Sequence, residues 1–301
     1  MPSGLHFGGG GTVLRDYLRN GVRLVRERRN DRKIRDVVAG ADALLISYPK
    51  CGRTWLRFAL SNYFSDALQL GIEPDLRSTF SIIPNLDNDP IRGVPGFRFA
   101  GQRPGLPLIL VSHRPFRAKL MQRAPIIFLV RDPRDIVVSA YFHATGHKQR
   151  FAGDIDEFIE DERQGLGSVI SYLNAWAARL AHHRHHVTSY ERISADLASE
   201  LRLVLSFLGV PIDEQALRHA VKKSSFTEMQ SKERQTGIPG QHYDTTDSES
   251  LRMRKGKAGG YVDYLSPAQA ERILARCRDE LTMPARSLLA EFTTDPVRVA
   301  D

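Results

Sequence analysis

A lysine, a glycine and a hydroxyl residue crowd the end of a short apolar run. In Ile46-Ser47-Tyr48-Pro49-Lys50-Cys51-Gly52-Arg53-Thr54-Trp55, Lys50 supplies a mobile positive charge, Gly52 lets the backbone approach a ligand closely, and Thr54 offers a hydroxyl. A strand that turns tightly into a helix aims unsatisfied backbone N–H groups and the positive end of the helix dipole at one point, so the segment predicts an anion cradle. The common ATP-binding loop would need glycine at position 47 and lysine at position 53. Ser47 and Arg53 stand there instead, so the architecture is P-loop-like while the kinase pattern fails.

A second stretch runs from Ile126 to Ser139 and reads as a buried strand, a charged corner and a new helix, with Pro133 suited to the helix's first turn. Arg131 falls at the strand's carboxyl end, where open α/β sheets place ligands. Its guanidinium suits bidentate recognition of a phosphate, and the hydroxyl of Ser139 would complete the shell. A competing view makes this a Walker B-like strand with Asp132 holding Mg²⁺; it is weakened because Asp132 follows Arg131 rather than the apolar run. His182, His183, His185 and His186 cluster where a helix is expected to end, a position where histidines suit the dipole. No metal-ligand spacing is evident, and no metal is expected.

Together these stretches resemble the PAPS-dependent sulfotransferases, which use 3′-phosphoadenosine 5′-phosphosulfate (PAPS) as donor and release 3′,5′-bisphosphate (PAP). Tyr48 to Trp55 resembles that family's 5′-phosphosulfate loop, with Cys51 and Arg53 departing from its commonest form. The resemblance implies that Lys50 binds the phosphosulfate and its bridging oxygen. Thr54 and the amides of Cys51, Gly52 and Arg53 would hold the 5′-phosphate, and Trp55 would stack near the adenine. Arg131 to Ser139 resembles the 3′-phosphate motif, which assigns that group to Arg131 and Ser139. Arg254-Lys255-Gly256 resembles the family's late basic element, closing over the same phosphate, although Gly259-Gly260-Tyr261 replaces its usual Gly-Asp-Trp ending. More loosely, Tyr190 and Phe226 match positions that approach the base. Ser112-His113-Arg114-Pro115 resembles the segment carrying the family's catalytic base, making His113 the expected base; histidine's ordinary pKa of about 6.5 suits neutral chemistry. Where the family has a lysine two residues before that histidine, this chain has Val111, which shifts transition-state stabilisation onto Lys50, helped by Arg53 or Arg114.

The elements that must position these residues alternate between strand and helix. Short apolar runs at Ala43–Ser47, Leu108–Val111 and Ile126–Val130 suit buried parallel strands, with a fourth at Val187–Tyr190. Helical patterns are read at Trp55–Tyr63, Arg134–Phe142, Gly167–Arg184, Ser194–Leu208 and from Ser266-Pro267 through Glu280. Residues 71–107, rich in proline and glycine, are expected to run over the surface, and with residues 143–167 to build an acceptor pocket walled by Phe80, Phe97 and Phe99. Residues 230–260 are polar and are expected to be mobile. The fold class expected is α/β, a P-loop-like three-layer fold with a mainly parallel central sheet flanked by helices. The domain division expected is a basic, amphipathic helical extension over residues 1–40 and a single α/β domain over 41–301.

The 301 residues carry 43 lysines and arginines against 35 acids, a net charge of +8. That balance suits a polyanionic ligand without selecting one. Besides sulfuryl transfer to a hydroxyl or amine, a P-loop nucleotide kinase and a non-catalytic basic nucleic-acid or glycan binder fit the charge. No nucleic-acid motif supports the last, and no nucleic-acid partner is expected. The acceptor is expected to be a small molecule, a lipid or a glycan; the oligomeric state stays open. With two cysteines, no signal-peptide pattern and no apolar run long enough to span a bilayer, a cytoplasmic location is expected.

Overall fold

The computed structural model describes residues 31–99, 103–121, 124–147, 150–237, 251 and 253–293. Four strands, β1 (Ala43–Ser47), β2 (Ile109–Ser112), β3 (Ile126–Val130) and β4 (His185–Ser189), form one sheet in the order β2-β1-β3-β4. All pairings are parallel, with Ile46 opposite Ser112, Ser47 opposite Leu129 and Val130 opposite Ser189. Every residue of β1, β2 and β3 is buried. This is why those strands are continuous apolar runs rather than alternating ones: helices cover both faces of a parallel sheet.

The helices follow as α1 (31–39), α2 (Arg53–Ala67), α3 (Thr79–Ile82), α4 (Ala118–Met121), α5 (Pro133–Phe142), α6 (Ile155–Glu160) and α7 (Leu166–Leu180). After β4 come α8 (Tyr190–Ala195), α9 (Leu197–Phe207), α10 (Glu214–Lys223), α11 (Phe226–Thr236), α12 (Pro267–Glu280) and α13 (Met283–Phe292). Helix α2 packs on α10, α5 on α6, α7 and α12, and α13 on α7 and β4. Ile34 and Val38 of α1 are buried in the core, and its Asp31 pairs with Arg114 and Arg117. The rest of the expected helical extension, residues 1–30, lies outside the described residues.

Several expected boundaries hold because local chemistry decides them. Ser266 and Gln269 form a reciprocal capping box ahead of Pro267, so α12 starts where the sequence predicts. Others move. Tyr190, expected to end a strand, opens α8, because the Ser189 side chain accepts the N–H of Arg192 and caps a helix there. The single helix expected over Ser194–Leu208 is two, parted at Asp196, whose carboxylate accepts the N–H of Ser199 and starts α9 afresh. Residues 71–107 are not a surface excursion: Leu76, Phe80, Ile82, Ile83 and Leu86 are buried, and the segment meets the sheet through Val111, which donates to Pro84 and accepts from Leu86. At both described ends the stretch 230–260 takes up defined structure. Residues 231–236 complete α11, and 253–260 pack against the rest of the fold; 238–250 lie outside the described residues.

Trp176 of α7 is fully buried. Its ring meets Phe116 at 5.4 Å and Phe128 at 5.8 Å, and its indole N–H donates to the carbonyl of Arg114 at 3.1 Å. It therefore anchors the segment that leaves β2 as well as filling the core. Trp176→Ala is expected to cost about 3–5 kcal/mol of stability, the usual range for emptying a buried tryptophan site. Urea unfolding measures it, and a loss below about 1 kcal/mol, the scale of an ordinary surface change, would show that the ring is not a packing anchor.

Candidate active site

Because the sheet is parallel, all four strands deliver their carboxyl ends to one edge. The residue after β2 is His113, after β3 Arg131 and after β4 Tyr190, while β1 runs into the loop that carries Lys50. The strand order reverses direction between β1 and β3, and a crevice opens at the carboxyl end of such a switch point. Arg131 closes the bottom of that crevice by donating from Nη1 to the carbonyl of Lys50 at 3.0 Å.

A cavity of about 410 Å³ lies there. Its lining includes Lys50, Gly52, Arg53, Thr54, Trp55, His113, Arg131, Ser139, Tyr190, Phe226, Arg254, Lys255 and Gly256. Residues separated by more than two hundred positions in the chain thus share one wall. Cys51 is the exception among the expected site residues. Its side chain is buried in the core, 1% exposed, and burial pushes its thiol far up, leaving only its backbone to serve a ligand. The lining also takes Pro49, Asp135, Val138, His143, Met229, Met253, Lys257 and Gly260, which the motifs did not nominate. The expected acceptor walls Phe80, Phe97 and Phe99 are not part of this cavity. Phe80 instead lies under the guanidinium of Arg57, 4.5 Å from the ring centroid.

The loop between β1 and α2 is tightly wound. Lys50 adopts φ 75° and Gly52 φ 91°. A side chain at Gly52 would come within 2.6 Å of the Tyr190 ring, so only glycine lets the loop rest on that ring. Helix α2 starts at Arg53, which turns its N-terminal dipole toward the cavity. A parallel arrangement holds the late basic element. Gly256, at φ 62°, sits so close to Phe226 that an added carbon would meet the ring at 2.0 Å. Trp55 donates from Nε1 to the carbonyl of Ser224 at 2.8 Å and meets Tyr190 edge-on at 5.6 Å. Three aromatic rings therefore stand between the two basic segments.

Arg131 stacks on Tyr190 at 3.8 Å, and its Nη2 pairs with Asp135 at 3.2 Å. Its buried Nε has no hydrogen-bond partner among the described residues. Asp135 also accepts the N–H groups of Gly259 at 2.9 Å and Tyr261 at 2.8 Å. The i, i+4 spacing of Arg131 and Asp135 across the start of α5 was the sequence signal for this partner. Asp132 is committed elsewhere: it caps α5 and binds Arg134 through both oxygens, with both side chains buried. Arg254 lies over Phe142 at 4.2 Å and Tyr264 at 4.5 Å, and Lys255 pairs with Asp263 at 2.8 Å. Arg114, an expected helper, does not line the cavity; its partner is Asp31. Val111 is buried, 1% exposed, within the sheet. His113 holds its Nδ1 2.8 Å from the carbonyl of Ser47. The Nδ1–H donates there, and the neutral ring carries its lone pair on Nε2. Among the described residues, no group of three or more His, Cys, Asp and Glu could hold a metal.

A parallel α/β sheet places cationic loops and aromatic rings together at its switch point. The sulfotransferase domain matches residues 41–284, and the chain belongs to that family of enzymes. Sulfotransferase 2A1 of Macaca fascicularis is 25% identical over 268 residues, covering 85% of this chain and 90% of that protein. The 3-alpha-hydroxysteroid sulfotransferase of Cavia porcellus is 27% identical over 252 residues, covering 80% and 84%. Mouse sulfotransferase SULT7A1, solved with PAP, shares the fold at a TM-score of 0.58 and 20% identity over 83% of this chain and 88% of that one. Retinol dehydratase, solved with androsterone and PAP, does so at 0.57 and 20% identity over 80% of each.

Behind Arg131, Glu191 is buried; its Oε1 accepts the N–H of Asp132 at 3.0 Å and its Oε2 has no partner among the described residues. Burial raises its carboxyl above the ordinary 4.5, against the lowering effect of the Asp132 N–H and Arg131. The folded state therefore holds this proton more tightly than the unfolded state. The resulting stabilisation is present below pH 4.5 and is lost as pH rises through the folded-state pKa. Glu191→Gln removes the titration, so the variant is expected to gain stability relative to the parent from pH 4.5 upward. Urea unfolding across that range measures it; a difference independent of pH would refute the assignment.

Proposed function

We propose that this enzyme transfers a sulfuryl group from PAPS to a hydroxyl or amine of a small-molecule acceptor by direct in-line displacement. The observation that carries the proposal is the convergence of the Lys50–Trp55 loop, Arg131 with Ser139, and Arg254–Gly256 on one cavity that also holds His113. The residues present fit the donor's chemistry. Cations and the N-terminus of α2 suit its anionic groups, and Trp55, Tyr190 and Phe226 suit a flat base. Lys50, Thr54 and the amides of Cys51, Gly52 and Arg53 would hold the 5′-phosphosulfate. Arg131, Ser139, Arg254, Lys255 and Gly256 would hold the 3′-phosphate.

PAPS supplies an activated sulfur whose leaving group is a phosphate. His113 takes the acceptor's proton on Nε2, because Nδ1–H is committed to the Ser47 carbonyl. As the acceptor oxygen bonds to sulfur, the sulfur–oxygen bond to the phosphate breaks and leaves its electron pair on PAP. Lys50, Arg53 and the dipole of α2 stabilise that charge. The family's related names favour a small apolar alcohol as acceptor: one relative is a hydroxysteroid sulfotransferase, and one structural neighbour was solved with androsterone. The kinase reading loses its metal ligand, because Asp132 is buried and bound to Arg134. The proposal extends to a cytoplasmic location, supported by the free, buried Cys51 and Cys277. It also takes residues 41–301 as one domain carrying a basic N-terminal extension over 1–40, whose Ile34 and Val38 pack into the domain's core. No helix among the described residues is long and apolar enough to cross a membrane.

Calorimetric titration with PAP and with ATP, each with and without Mg²⁺, tests the donor. PAP is expected to bind equally well in both conditions; metal-dependent ATP binding in its place would return the kinase reading. Lys50→Ala and His113→Ala are each expected to lower kcat by at least about 100-fold in a radiolabelled sulfuryl-transfer assay with hydroxysteroid acceptors, in line with the loss of a charge stabiliser or a general base. Full activity in either variant would overturn that residue's role.

A further inference from the structure

We infer that Asp135 is a positioning residue: one buried carboxylate holds both Arg131 and the strap of residues 253–261, so that the cations facing the 3′ end of the nucleotide are built as one unit. This rests on the donor reading above and adds to it a residue that contacts no ligand in that scheme.

Asp135 is 3% exposed. Its Oδ2 accepts from Arg131 Nη2 and from the N–H of Gly259, and its Oδ1 from the N–H of Tyr261. The first donor belongs to the corner after β3, the other two to a segment more than 120 positions later. The far end of that strap is held in the same way. Gln230 donates to the carbonyl of Met253 at 2.8 Å, and the buried Glu233 accepts the N–H of Met253 at 2.9 Å. Arg134 reinforces the near end by lying over the Tyr261 ring at 4.2 Å. Arg254, Lys255 and Gly256 therefore run between two fixed points. These side chain–backbone bonds close the strap in the absence of a ligand, so binding a phosphate need not order it.

Asparagine at position 135 keeps the volume but turns one acceptor oxygen into an NH₂ that faces donors, so it loosens the strap, Arg131, or both. A residue that merely stabilises the fold would lower the melting temperature and leave the strap's own contribution to binding intact. The experiment is a double-mutant cycle read by PAP titration: the parent, Asp135→Asn, Lys255→Ala and the double variant. Asp135→Asn is expected to weaken PAP by about tenfold, and the loss from Lys255→Ala, about tenfold in the parent, is expected to fall below about twofold in the Asp135→Asn background. Additive effects, or unchanged PAP affinity in Asp135→Asn, overturn the inference.

Hydrogen exchange on the unliganded parent gives a readout independent of any variant or nucleotide. The amides of Gly259 and Tyr261 are expected to exchange at least about tenfold slower than unstructured rates. Unprotected amides overturn the inference even where Asp135→Asn proves unfolded. Protected amides in a protein that does not bind PAP would uphold the strap's anchoring while rejecting the donor reading.

Discussion

The guanidinium of Arg131 is gripped by the Lys50 carbonyl, the Asp135 carboxylate and the Tyr190 ring. Lys50 comes from the loop after β1, Asp135 from the helix after β3, and Tyr190 from the residue after β4. One planar cation with several fixed donors thus ties together the ends of three strands, a task for which a point charge such as lysine is unsuited. The positive φ of Lys50 is held partly by that bond, since its carbonyl is turned to meet Arg131. The geometry of the cavity floor follows from this contact.

A site so rich in cations must limit its own repulsion before a ligand arrives. Lys50, Arg53, Arg131, Arg254, Lys255 and Lys257 line the cavity, with Asp135 as the acid among them. Asp263 takes Lys255, and aromatic faces take Arg131 and Arg254. The negative face of a ring attracts a guanidinium without neutralising its charge. The cations stay in place and remain attractive to phosphate. Tyr190 also presses on Gly52, and Phe226 on Gly256, so aromatic rings set the path of the two basic loops.

Where local chemistry decides structure, the sequence was informative. The apolar run Ile126–Val130 reads as a buried strand and Ser266-Pro267 as a helix start, and both form as read. Where packing decides, it was not. Helix α10 went unread although Asp213 caps it and Ala216, Leu217 and Ala220 form its buried stripe; its packing on α2 is what the structure adds. The irregular stretch around Ile82 and Ile83 goes inside because it finds the edge of β2, a partner that no local pattern names. Tyr190 was nominated for the base, yet its place at a helix start depends on a serine cap competing with strand extension.

The sequence by itself determined which groups are available: a lysine and glycine after one strand, an arginine and a distant serine after another, a histidine after a third, and a late basic pair. Those follow from residue type and short spacing, which act over a turn or two of chain. Only the tertiary structure decided that they meet. Parallel pairing sends every strand end to the same edge, and the buried carboxylate of Asp135 brings residues 259 and 261 back to the corner at 131. Such contacts depend on where distant backbone N–H groups arrive, and an isolated segment carries no record of that.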